Sequence, residues 1–265
     1  MMFGLFGNKK KHELPVKEEM RQWIDNALLW LMQSFGEASI KTRKVLTPHH
    51  THFPVRYDGQ HQSAIDTMKI IATQMEINPD DVQLDIYKEG QTEIDTGGAF
   101  GNRIFLQQVE GEKYSGGLYW GRQPDHKYHI GLEEKKLNEP MGMIATLAHE
   151  FSHIKLLGEN RIQENNEPLT DLTTIIFGLG IFNANAAFQT KTGFDSWGWS
   201  RLGYLSQMEW GYALALFAYV RGEGSPDWIN FLSKNVKSDF MKSENFIRSN
   251  EHLILKSAGH SGDPK

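Results

Sequence analysis

The chain has 265 residues, 39% hydrophobic and 23% charged, enough apolar material for one well-buried domain or two small ones. Its 28 basic residues stand against 33 acidic ones, a formal charge of −5, so nothing in the balance calls for nucleic acid as the main partner. Cysteine is absent, which excludes a disulfide framework, a thiolate metal site and a cysteine nucleophile, and leaves nitrogen and oxygen as the donors for any metal.

Residues 1–11 read MMFGLFGNKKK, with the apolar stretch before the basic one, the reverse of a secretory signal. They are expected to form a flexible tail. From Val16 to Phe35, Met20, Trp23, Ile24, Ala27, Leu28, Leu31 and Phe35 fall on one helical stripe, and Gly36 stops it. Ile40–Leu46 reads as a short strand, and Thr47–Gly59 as a loop rich in histidine and proline. A second amphipathic helix is expected over Ser63–Met75, followed by a turn at Asn78, Pro79 and Asp80.

The middle of the chain changes character. Val82–Tyr87, Arg103–Val109, Gly117–Trp120 and Lys127–Leu132 are short β-favouring runs between glycine-rich or polar turns. From Asn138 onward helices dominate: one capped by Asn138, with Pro140 in its first turn, ending near Gly158; then Pro168–Phe188, Ser200–Arg221 and Trp228–Met241. Residues 256–265 are polar and expected to be disordered. No repeat or linker divides the chain, so the expected layout over residues 12–255 is one α+β domain, with a small sheet in the middle and a mainly helical C-terminal half. The apolar windows Ile175–Phe182 and Ala213–Val220 are too short to span a bilayer, and the protein is read as cytoplasmic without stable membrane insertion.

One motif carries chemistry. His149-Glu150-Phe151-Ser152-His153 is an H-E-x-x-H pattern, and residues four apart on a helix lie one turn apart on one face, so both imidazoles reach a single ion. Glu150 sits beside them as general base, while Ile144, Leu147, Phe151, Ile154 and Leu157 anchor the opposite face. Downstream, Glu167 and Asp171 are again one helical turn apart, with Pro168 in the first turn. Glu167 can supply a third zinc ligand and leave a fourth position for water, or else Glu167 and Asp171 merely favour a helix N-terminus electrostatically. Asp171 accepts a hydrogen bond from the outer nitrogen of a ligand histidine and fixes its tautomer.

In these residues the sequence resembles the gluzincin class of zinc metallopeptidases, which combine H-E-x-x-H on one helix with E-x-x-x-D on the next. The resemblance covers residues 138–188 and implies a zincin-like fold, one zinc ion held by His149, His153 and Glu167, Glu150 as the base that activates water, Asp171 as ligand support, and a peptide or protein substrate. The interval from His153 to Glu167 is shorter than in thermolysin-like enzymes, so Glu164 and Asp171 remain alternative third ligands. By the same analogy Tyr128–Gly131 is a sheet-edge strand for an extended substrate, or else a plain core strand. Tyr204, Tyr212 and His129 are candidate donors to a developing oxyanion.

The remaining signals are weaker. The loop Pro48–Pro54 with His49, His50 and His52, and His61 nearby, lacks a carboxylate partner and reads as solvated loop. Gly97–Gly101 lacks the ending of a phosphate loop and reads as a turn, and Gly178 and Gly180 as close-packing positions. Trp197, Trp199, Trp210 and Trp228 read as helical core rather than a partner surface. The competing classes are a zinc-binding regulatory or interaction protein with a catalytically silent site, and an interaction protein with a chance motif; an intact Glu150 favours the enzyme, since a structural site needs no base.

Overall fold

A computed structural model describes residues 13–88, 93–95, 103–105, 117–187, 190–193, 196–199 and 204–255. The expected flexible tail, Gly97–Gly101, the side chains of Trp197 and Trp199, and residues 256–265 lie outside what it describes.

Alternating valine, leucine and isoleucine give β1 (Val82–Tyr87) and β5 (Tyr128–Glu133), which pair in parallel from Val82–Tyr128 to Tyr87–Glu133. β4 (Gly117–Arg122) runs antiparallel along the other side of β5, with a bulge between Tyr119 and Arg122. The sheet order is therefore β1-β5-β4, and β5 is central. This corrects the expectation that Tyr128–Gly131 forms a sheet edge for substrate: both edges of β5 are taken, and Ile130 and Leu132 are fully buried. Among the described residues the antiparallel edge strand is β4. Two short ribbons, β2 (Glu93–Asp95) with β3 (Arg103–Phe105) and β6 (Thr190–Gly193) with β7 (Ser196–Trp199), stand apart from this sheet.

The helices divide according to what stops them. α1 (Glu18–Phe35) ends at Gly36, which takes φ +86°. The next residues form α2 (Glu37–Thr42), not the expected strand over Ile40–Leu46. Glu37 at its start, Lys41 at its end and the 2.5 Å ion pair between them suit a helix, and among the described residues no strand pairs with this backbone. α3 (His61–Gln74) follows the histidine loop.

α4 (Pro140–His153) is the central helix, packed against α3, α5, α6, β4 and β5. Every residue from Gly142 to His153 is buried. Glu139, not Asn138, precedes its first turn, because Asn138 closes a tight turn over Glu134–Asn138 that buries Lys136 and Leu137. After His153 the helix widens into a single π turn, Ile154–Gly158, closed by the Glu159 amide on the Ile154 carbonyl at 2.9 Å.

The expected helix over Pro168–Phe188 is two: α5 (Glu167–Ile176) and α6 (Gly180–Ala186). Gly178 separates them with φ +75°, its carbonyl accepting the Leu46 amide at 2.8 Å. α7 (Gln207–Val220) begins at a capping box of Ser206 and Glu209 rather than at Ser200. Beyond it a 3-10 turn, Asp227–Phe231, precedes α8 (Lys234–Ser249), where one helix over Trp228–Met241 was expected. The Asn185 side chain separates the two, donating to the Phe231 carbonyl at 2.8 Å and accepting the Ser233 amide at 2.7 Å.

One apolar core runs through these elements from Val16 to Ile254, with Trp210 and Trp228 inside it. Among the described residues no helix is long and apolar enough to cross a membrane.

The break at Gly178 generates a test. A Cβ there would stand 2.3 Å from the Lys44 carbonyl oxygen, in a conformation that L residues disfavour by about 1–2 kcal/mol before any clash. Gly178→Ala is expected to lower unfolding free energy by about 2 kcal/mol or more, read from the urea midpoint.

Candidate metal centre

Two helix segments meet at this site. On α4, His149 and His153 are one turn apart, their rings edge to face with centroids 5.0 Å apart. α5 begins where the Asn166 side chain caps the Leu169 amide at 3.1 Å, with Pro168 in the first turn, so Glu167 stands at the helix start and faces α4. Its Oε2 lies 3.0 Å from His149 Nε2 and 3.6 Å from His153 Nε2, while Asn165 donates to Oε1 at 2.7 Å. One donor atom from each of His149, His153 and Glu167 lies within 4.8 Å of the others. Tetrahedral coordination with bonds near 2.1 Å sets donor atoms roughly 3.3 Å apart, so the three are positioned to hold one metal ion.

Asp171, one turn further along α5, is wholly occupied. Its Oδ1 meets His149 Nδ1 at 3.0 Å, and its Oδ2 accepts the amides of Tyr204 at 2.8 Å and Leu205 at 3.2 Å. Glu164 is exposed and outside the cluster. The third member is therefore Glu167, and neither Glu164 nor Asp171 takes that place.

The charges fit a cation. Burial by itself would lower the His149 imidazole, but its hydrogen bonds to Asp171 and Glu167 outweigh that and raise it well above the ordinary histidine value. The negative charge that holds this proton is also what would hold an ion. Burial, then the charge on His149, pushes His153 down to about 4 and keeps it neutral, the form that ligates. Glu167 would be raised by burial, yet the hydrogen bond and charge of His149 lower it overall.

Glu150 projects beside the cluster and is 3% exposed. Burial, reinforced by Glu167 and opposed by His149, pushes its carboxyl up to about 7. A Cβ on Gly117 would stand 2.4 Å from Thr146 Cγ2 and 2.9 Å from Glu150 Oε1, so glycine at the start of β4 lets the helix press against the sheet.

The candidate oxyanion donors separate. Tyr204 is at the site, its ring stacked on that of His149 at 6.3 Å and 19°, and it is 47% exposed. Tyr212 is not: its buried hydroxyl donates to Asp25 on α1 at 2.7 Å. His129 is committed as well, with Nδ1 2.7 Å from Asp85 and Nε2 3.0 Å from Asp125, where it ties β5 to β1 and to the turn before it. In the histidine loop, His52 Nδ1 accepts the Thr47 amide at 2.8 Å and His49 Nδ1 meets the Thr51 hydroxyl at 2.9 Å, and neither joins a metal-binding group among the described residues. Tyr119 and Gly117 were not legible as site residues, because nothing in the strand pattern says which helix lies across it.

No protein-family model, curated protein or solved structure matches this chain.

The His129 cluster carries a pH prediction. Burial disfavours its charge, but hydrogen bonds to Asp85 and Asp125 raise its pKa overall. A raised folded-state value means stabilisation that is complete below the unfolded value near 6.5 and lost as pH rises through the folded one. Urea midpoints of the parent are expected to fall as pH climbs from about 6.5 through the raised folded-state value and to level off above it, and the same series on His129→Gln to lack that component.

Proposed function

We propose that this protein is a zinc-dependent hydrolase of amide bonds, a metallopeptidase with a zincin-like fold and a site of the gluzincin kind. The observation that carries this is the convergence of His149, His153 and Glu167 donor atoms within 4.8 Å, with buried Glu150 beside them. Asp171 on the outer nitrogen of His149 adds support, since ligand histidines are commonly oriented this way. Two imidazoles and one carboxylate with no sulfur suit Zn2+ with a fourth position for water or substrate.

When bound, zinc polarises a substrate carbonyl and lowers the pKa of water from about 15.7 toward neutrality. The chain does the rest. Glu150, buried beside the cluster, takes the proton of the attacking water and delivers it to the leaving nitrogen. Asp171 keeps the His149 ring turned toward the cluster by anchoring its Nδ1. An extended peptide laid along the edge strand β4 would bring its carbonyl past Glu150, because Gly117 of that strand lies directly against the Glu150 side chain. Tyr204, stacked on His149 and half exposed, is the donor candidate for the developing oxyanion.

The test compares the zinc-loaded parent with Glu150→Gln on a fluorescein-labelled casein substrate, with zinc content measured on both. The parent is expected to carry one zinc per chain and to lose activity to 1,10-phenanthroline. Glu150→Gln is expected to keep the zinc and to lose roughly 10²–10⁴-fold in kcat. A parent that binds zinc but hydrolyses no casein or other peptide substrate would leave a silent metal site and overturn the hydrolase.

A further inference from the structure

We infer that Tyr119 is a positioning residue for His153, orienting that imidazole by ring packing where His149 is oriented by a hydrogen bond; the inference rests on the metal-centre reading above. The two histidines of the cluster are held in different ways. His149 Nδ1 is fixed by Asp171, which is itself anchored by two backbone amides. His153 Nδ1 is buried and has no hydrogen-bond partner. With no bond at its outer nitrogen, and Glu167 3.6 Å from the other, the His153 ring has no hydrogen bond to set its rotation or its tautomer, and that task falls to neighbouring atoms.

The neighbour is Tyr119. Its ring lies nearly parallel to the His153 ring, 15° between planes and 5.8 Å between centroids, while the His149 ring meets His153 almost at right angles, at 83°. His153 is thus confined by a flat face and an edge. Tyr119 is itself held. β4 pairs it with Ile130, its ring lies 6.4 Å from that of Tyr128, and its hydroxyl rests against Gly158, where an added Cβ would come within 3.0 Å. Gly158 closes the π turn that follows His153, and its carbonyl accepts the Tyr128 hydroxyl at 3.3 Å. The edge strand therefore serves two members of the site, with Gly117 making room for Glu150 and the Tyr119 ring on His153.

The ring, not the hydroxyl, is the working part, and this separates the variants. Zn2+ affinity is measured by competition with a chromophoric chelator, and the ligand field by the visible absorption of the Co2+ form, both without any substrate. Tyr119→Phe is expected to bind Zn2+ within about twofold of the parent. Tyr119→Leu is expected to bind about 10–100-fold more weakly, with a weakened Co2+ band. Tyr128→Leu removes a neighbouring ring that is not stacked on His153 and is expected to stay within a few-fold, which distinguishes loss of orientation from general loosening. Should Tyr119→Leu fail to fold, Tyr119→Met replaces it. Parent-like affinity in the ringless variant, equal loss in Tyr119→Phe, or equal loss in Tyr128→Leu would each overturn the inference. A parent that takes up no Zn2+ sinks the metal-centre reading itself, and the inference with it.

Discussion

The hydrogen bond between Asp171 and His149 joins more of this molecule than any other polar contact around the cluster. It links α5 to α4, and through the amides of Tyr204 and Leu205 it ties the segment leading into α7 to the same carboxylate. Asp171 is 1% exposed and His149 8%, so neither is solvated by water. Breaking a buried pair by removing one partner typically costs about 3–5 kcal/mol. The arrangement therefore holds two helices and the segment leading into α7 in one relation, and the imidazole inside it has one orientation.

Around that contact the protein solves the problem of a polar face on a buried helix. α4 is enclosed along nearly its whole length, yet carries two histidines and a glutamate. Unpaired, such groups would oppose burial by several kcal/mol each. Glu167 and Asp171 balance His149, and Tyr119 covers His153. The residue left imperfect is His153, whose outer nitrogen meets no partner. The donor atoms of His149, His153 and Glu167 nonetheless converge, positioned to hold one metal ion.

The glycines show how the sheet and helices reach this proximity. Gly117 removes the side chain that would hold β4 away from Glu150, and Gly178 bends the chain out of α5 so that α6 folds back against α4. Both act by closeness of backbone, not by chemistry. Neither would be found by searching for reactive residues.

What the sequence determined by itself was local. Apolar spacing of 3 and 4 marks α1, α3 and α4, because one helix needs only its own face to be recognised. His149, Glu150 and His153 share a turn, and Glu167 and Asp171 share the next helix, so each group was legible within its own short stretch. Tertiary structure decided what depends on distant partners. Ile40–Thr42, with no strand to pair with among the described residues, joins α2; Asn185 divides the 3-10 turn from α8; β5, flanked on both sides, passes the edge to β4. It also sent Tyr212 to Asp25 and His129 to Asp85, and brought Tyr119 onto His153. Side-chain periodicity states which face is buried, but not against what, and the identity of the neighbour is what separates a ligand's support from a core residue.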